Sequence, residues 1–478
     1  MKKLHLVLLL ILPVLGNCQS VTATRYVNNI SVDDLEARLS VLASDSLEGR
    51  ETGMPGQKKA AKFIASHFES IGLTPPVQEG EDQRSYFQPY AVYMLNWNAV
   101  YLKRGQTRFN NFDGFVYLSE TGTNGQEPID ILFIAANKSP HGETKGKYLA
   151  FLATESEQEG LISKFSVYEP AGYVFISKSE KDFDKAIKTA DLIRRKSRRP
   201  QSALPEGGVK ILALTKERAS WIFDQPVEKL RNGDKASVDF NAEREVSVIH
   251  SENVMGYLRG TELPDEWLVI TSHYDHIGIT NGQINNGADD DGSGTTAVME
   301  MAETFAQAAK NGDGPRRSIL FMCVSGEEKG LLGSNYYTNN PVIPLSQTIV
   351  NLNIDMIGRT DPKHEGGEDY IYIIGSDKLS KGLHALSERV NKSTVNLVFD
   401  YTYNDANDPN RFYYRSDHYN FARNNIPVIF YFSGTHVDYH QPTDTIEKIQ
   451  FDKLRVRTQL VFYTAWEIAN QTETIEVD

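Results

Sequence analysis

From about residue 246 the chain alternates short apolar runs with amphipathic stretches, and this alternation restricts the fold more than any other feature. Trp267 to Thr271, Ile319 to Val324, Ile349 to Ile354, Tyr370 to Ile374 and Val428 to Phe432 read as buried strands. Between the first two, Ala297, Val298, Met301, Ala302 and Phe305 recur at helical spacing. A last helix sets Leu454, Leu460, Val461, Ala465 and Ile468 against the core. Strands separated by helices build an α/β fold, a mostly parallel sheet covered on both faces. Ligands of such a sheet bind in the crevice at the C-terminal strand ends.

Four of these strands end in candidate metal ligands or run straight into them. Thr271-Ser272 is followed by His273-Tyr274-Asp275, and Cys323-Val324-Ser325 by Gly326-Glu327-Glu328. Asn353-Ile354 ends in Asp355, and the strand after Pro427 leads to Tyr439-His440. A loop from Gly287 to Gly294, carrying Asp289, Asp290 and Asp291, stands just ahead of a helix. A lone His or Asp at a strand end is most often structural; several at neighbouring strand ends can converge. Histidines and carboxylates without cysteine suit a catalytic zinc site with open positions. Two adjacent zinc ions need a bridging carboxylate, further His and carboxylate ligands, and an unligated carboxylate to take a proton from water.

Taken together, His273-x-Asp275, the Gly287 to Gly294 loop, Gly326-Glu327-Glu328 with Gly330-Leu331, Asn353 to Gly358, and Tyr439-His440 with Pro442, Asp444 and Thr445 carry a resemblance. The chain resembles the co-catalytic dizinc aminopeptidases, a zinc-exopeptidase family that also includes glutamate carboxypeptidases. The resemblance implies two zinc ions per chain and hydrolysis of peptide substrates, most simply from the N-terminus. By position it implies that His273 and Asp355 bind one zinc, that Glu328 and His440 bind the other, and that Asp290 bridges them. Glu327 would be the general base and then the acid, Asp275 the partner of the second His273 ring nitrogen, and Tyr439 the oxyanion donor. Asp289 and Asp291 are expected to be loop structure. Ser416-Asp417-His418 also matches a family motif near the cleft, with His418 at most behind the ligands.

Within the same fold a carboxypeptidase or dipeptidase is the competing reading. Arg411 or Arg415 would then anchor a substrate carboxylate, the default being that both are surface residues. Glutaminyl cyclases bind a single zinc and lack the first His, against which His273 argues. Non-catalytic relatives lose ligands, and here each expected ligand is present.

Upstream, Ser31 and Asp34 form a helix start with Leu35, Leu39 and Leu42 on one face. A second helix carries Ala60, Phe63, Ile64, Phe68 and Ile71 up to Gly72. Between them lies Leu47-Glu48-Gly49-Arg50, which shares in the resemblance, so residues 20–107 are assigned to the peptidase domain together with 246–478. Residues 108–245 hold short β-like runs and no ligand cluster, and are expected to be an inserted, mainly β domain resembling a protease-associated domain. Lys2, Lys3 and the apolar run from Leu4 to Gly16 read as an export signal over residues 1–18, too short to span a bilayer. Leu15-Gly16-Asn17-Cys18 resembles a lipoprotein cleavage box. It implies a membrane tether at a lipidated Cys18, whereas ordinary cleavage after Gly16 or Cys18 would give a free periplasmic or secreted protein. The formal net charge of -13 argues against a nucleic-acid partner. Cys323, in an apolar run, is expected to be an inert core thiol.

Overall fold

The computed structural model describes residues 16–80, 83–135, 138–140, 142–195, 198–199 and 208–478. The expected export signal lies outside the described residues as far as residue 15, and the Cys18 side chain also falls outside them. The chain divides into two compact units. One comprises the chain up to Tyr90 with His250–Asp478, the other Ala91–Ile249.

The first unit is built on a largely parallel sheet. The end of strand β1 (Lys235–Leu258) lies antiparallel to β3, with Val254 opposite Cys323. Strand β2 (Leu263–His273) is the centre, parallel to β3 (Arg317–Val324) on one side and to β4 (Thr348–Ile354) on the other. Beyond β4 lie β7 (Val428–Phe432), parallel to it, then β5 (Tyr370–Ile374), antiparallel to β7, and β6 (Val398–Asp400) at the edge. Register pairs His273 with Val324 and Thr271 with Asn353. The segments after β2, β3 and β4 therefore leave the sheet along one edge, where the candidate ligands follow.

Alternation along β2 splits its apolar residues between two cores. Leu268 and Ile270 join Phe321, Leu352 and Ile429 under helices α1 (Val32–Leu42), α2 (Pro55–Ser70), α3 (Gly294–Lys310) and the C-terminal helix Phe451–Asn470. Trp267 and Val269 join Leu320, Met322, Tyr337 and Phe421 on the other face. Each fully buried Leu, Ile or Phe contributes about 1.5–3 kcal/mol, so the sheet is held from both sides. Helix α1 starts as its residues dictate: the Ser31 side chain accepts from the Asp34 N–H, and Leu35, Leu39 and Leu42 are buried.

The second unit alternates strand and helix. Glu127–Phe133, Tyr148–Ala153, Gly172–Ser177 and Lys210–Leu214 run parallel in that order, and Phe115–Tyr117 closes the edge antiparallel to the last. Helices Glu155–Phe165, Glu180–Arg195 and Lys216–Phe223 connect or follow these strands, so the unit holds more helix than its short apolar runs suggest. The first of these helices buries only Phe165, and a helix exposed on nearly every side carries no apolar periodicity to read. The unit also begins earlier than the change of composition at 108. Strand Phe87–Arg104 forms a hairpin with Thr107–Asn110, so the compositional break falls within that hairpin, inside the unit.

Candidate metal centre

Five loops bring the expected ligands together. His273 is the last residue of β2, and Asp355 follows β4 directly. Asp290 lies in the turn Ala288–Ser293 before α3, Glu327 and Glu328 lie in the turn after β3, and His440 follows β7. His273 Nε2 stands 3.3 Å from Asp290 Oδ1 and 3.6 Å from Asp355 Oδ1. His440 Nε2 stands 3.0 Å from Asp290 Oδ2 and 3.2 Å from Glu328 Oε2. Asp290 thus turns one oxygen to each histidine, as a carboxylate shared by two ions must.

A residue not expected from the sequence sits in the second half of this site. His276 is fully buried, with Nδ1 at 2.9 Å from Glu328 Oε1 and 3.7 Å from Asp290 Oδ2. The only signal was a second His three residues beyond His273, at a spacing that means nothing once a strand has ended.

The donors present suit divalent cations. Asp290, Asp355, Glu327 and Glu328 bring four carboxyl groups into one buried space, which is costly unless positive charge balances them. Asp290 Oδ2, Glu328 Oε1 and His276 Nδ1 are buried without a hydrogen-bond partner among the described residues. Such atoms cost free energy unless something else satisfies them. The local field favours cations too. Burial lowers the affinity of His440 for a proton, but contacts with Asp290 and Glu328 outweigh it and raise the value to about 11. Burial and the charge of Asp290 push the Glu328 carboxyl up, yet His276 and His440 hold it down at about 2. Glu327 goes the other way. Burial pushes it well above the usual carboxylate range, and the charges of Glu328, Asp355 and Asp417 add to that against His273.

The neighbouring acids are spent on the backbone. Asp291 also lies close enough to His273 and Asp355 to form a ligand triple. Its oxygens, however, accept from the N–H groups of Gly294 (2.8 Å), Met356 (3.0 Å) and His273 (3.3 Å). Asp289 accepts from Gly358 N and Ser293 Oγ and faces His436 at 3.1 Å. Asp444 accepts from the N–H groups of Asp289 and Asp290. Asp290 is the member of its run that stays turned to the histidines.

Asp275 departs from its expected role. The His273 Nδ1 contact, at 3.1 Å, is with the Asp275 main-chain oxygen, and the Asp275 carboxylate lies 3.9 Å away. That carboxylate instead accepts from Thr52 Oγ1 at 2.6 Å and from the Glu327 N–H at 3.2 Å, so it steadies the turn that carries Glu327. Arg50 explains the Leu47 to Arg50 motif. Its buried guanidinium donates to the carbonyls of Leu42, Tyr274, Asn286 and Gly287, tying the N-terminal segment to both ligand loops. Ser416 donates to Asp355 Oδ2 at 2.6 Å, leaving Oδ1 for the site. His418 stacks on Phe430 in an apolar setting, and burial pulls its value down to about 3. It is a neutral packing group.

Tyr439 lies over His440, ring centroids 3.9 Å apart, and burial with the charges of Asp290, Glu328 and Glu327 keeps its hydroxyl protonated. It lines a small cleft with Glu327, Asp355, Phe412, Phe430 and Arg415. Arg415 reaches the Tyr439 hydroxyl at 3.4 Å, whereas Arg411 lies over Tyr414 and lines a different depression. The Cys323 thiol is buried and pushed up to about 12, consistent with an inert core residue.

Residues 253–465 match the family model described as peptidase family M28. The chain is 26% identical over 260 residues to leucine aminopeptidase 1 of Penicillium rubens, covering 53% of this chain and 65% of that protein. The chain thus spans less than two thirds of that relative. Its fold is similar to an aminopeptidase from Aneurinibacillus sp. strain AM-1, with a TM-score of 0.60 at 18% identity over 95% of this chain and 97% of that one. It is also similar to a zinc aminopeptidase from Bacillus subtilis, with a TM-score of 0.54 at 16% identity over 93% of this chain and 97% of that one.

Proposed function

We propose that the chain is a member of peptidase family M28, whose model matches residues 253–465, and that it is a dizinc aminopeptidase that removes single residues from the N-terminus of peptides. One observation carries the reading: atoms of His273, Asp290, Asp355, Glu328 and His440 face one another across a buried gap, Asp290 offering one oxygen to each side. His273, Asp290 and Asp355 would hold one zinc, and Asp290, Glu328 and His440 the other. Zinc there supplies a water acidic enough, with a pKa of roughly 7, to be deprotonated near neutral pH. Glu327 would take a proton from the attacking water as its oxygen bonds to the scissile carbonyl carbon, and would return it to the amine nitrogen as the C–N bond breaks. The Tyr439 hydroxyl donates to the oxyanion of the tetrahedral intermediate. Ser416 and Asp275 keep Asp355 and the Glu327 turn in position.

Carboxylates crowd the cleft, and they accommodate a substrate ammonium more readily than a second carboxylate. Acetylating the N-terminus of a good peptide should abolish cleavage, and amidating its C-terminus should change little. A second reading rests on Arg415, whose guanidinium lines the cleft and fits a substrate carboxylate, as in a carboxypeptidase or dipeptidase. The reverse pattern of cleavage, lost on Arg415→Ala, would establish that reading. Cleavage of a peptide blocked at both ends would exclude exopeptidase action.

Location enters the proposal through residues 1–18, which support export and a lipid tether at Cys18. No helix among the described residues is long and apolar enough to cross a membrane. Mass spectrometry of the mature N-terminus from cells would identify a lipidated Cys18, and an unmodified one would remove the tether.

A further inference from the structure

Resting on the dizinc reading, we propose that His276 is a fourth protein ligand to the second ion, so that the two metal positions are unequal. His276 Nδ1, Glu328 Oε1 and Asp290 Oδ2 form one group of mutually close donors, and His440 Nε2 approaches Asp290 Oδ2 and the other Glu328 oxygen. The separations are 2.9 Å from His276 Nδ1 to Glu328 Oε1 and 3.7 Å to Asp290 Oδ2, with 3.0 Å from His440 Nε2 to Asp290 Oδ2 and 3.2 Å to Glu328 Oε2. Ligands at about 2.0–2.1 Å in a tetrahedron stand roughly 3.4 Å apart, and these spacings bracket that figure. Both ring nitrogens of His276, with Asp290 Oδ2 and Glu328 Oε1, are buried without an aligned hydrogen bond among the described residues. A cation between Nδ1 and the two carboxylate oxygens would satisfy those three atoms.

The backbone is shaped to hold the imidazole there. His276 N donates to the Arg50 carbonyl, and a Cβ on Gly287 would come within 2.6 Å of the ring. Gly287 has a φ of +56°, so a side chain there would be strained as well as crowded. The other position has three protein ligands, His273, Asp290 and Asp355, and keeps room for water and substrate beside Glu327. The chemistry belongs to the three-ligand position, and the four-ligand position is the tighter, closed one.

The test is metal retention, read without activity. Full-length protein saturated with zinc is dialysed against chelators of graded strength, and the metal per chain is measured for wild type, His276→Ala and His276→Gln. Melting of the metal-free forms serves as the fold control. Wild type should release its two ions in separate steps. Either variant should lose the tighter step, with affinity there falling on the order of 100-fold, while Asp355→Asn should lose the weaker one. Two ions retained as in wild type by a folded His276 variant would overturn the proposal, as would a variant that loses only the weaker ion. A His276→Ala chain that fails to fold passes the decision to His276→Gln. If both fail, one-step release from wild type contradicts the proposal and two-step release supports it. Wild-type protein that holds no zinc would instead remove the dizinc reading itself.

Discussion

The turn Ala288–Ser293 and the turn Gly326–Glu328 both set acidic residues side by side at the mouth of the sheet, yet they use them differently. In the first, Asp289 and Asp291 are consumed by backbone N–H groups, and Asp290 alone of the three turns to the histidines. In the second, both acids serve the site and their proton affinities are driven apart. Burial pushes Glu327 well up, while Glu328 is held at about 2 by His276 and His440 against burial. A buried carboxylate satisfied by main-chain donors shapes a loop; one left facing imidazoles is available to a cation. Groups of one type pushed in opposite directions can divide a proton-transfer task between them.

Substitutions can break this comparison. The largest effect should come from Asp290→Ala, which removes the carboxylate proposed to serve both positions and should reduce turnover to background in a peptidase assay. Glu327→Gln should lower turnover about 100- to 10,000-fold with metal content intact, because proton transfer alone is lost. Metal loss from that variant would make Glu327 a ligand and erase its contrast with Glu328. Tyr439→Phe should lower turnover roughly 100-fold at little change in KM, by removing one oxyanion donor.

Smaller effects sharpen the structural side. In Asp291→Asn an amide N–H₂ would face a backbone donor that the carboxylate now satisfies. Unfolding free energy should fall by about 1–3 kcal/mol in denaturant titration. His418 supplies a pH effect away from the ligands. Its folded value is about 3 against 6.5 in the unfolded chain, so the unfolded state takes up the proton first as pH falls. Its stabilising contribution is complete above pH 6.5 and is lost toward pH 3. The difference between wild type and His418→Phe in unfolding free energy should shift by about 2 kcal/mol between pH 7 and 5. An unchanged difference would mean that His418 is protonated in the folded protein.

Much of this arrangement was legible beforehand because buried parallel strands are continuous apolar runs, and each candidate ligand except Asp290 follows such a run. The Ser31 helix start was legible for the same local reason. What stayed hidden depends on distant segments. Arg50 earns its burial by collecting carbonyls from Leu42, Tyr274, Asn286 and Gly287, a set no local pattern displays. His276 reaches the site because the chain bends away after β2, and the three-residue spacing from His273 foretells no shared face there. Asp275 showed the right neighbourhood and the wrong contact, since a main-chain oxygen took the imidazole that the carboxylate was expected to hold. The helix Glu155–Phe165 of the second unit buries only Phe165 and so leaves no stripe to read.

The most direct test of the division between open and spent carboxylates is metal per chain, measured by elemental analysis after purification without chelator. Wild type and Asp291→Asn should each hold roughly two equivalents, and Asp290→Asn should hold less than one. Equal loss of metal from the two variants would contradict the account, as would a wild-type protein that is fully active with a single equivalent.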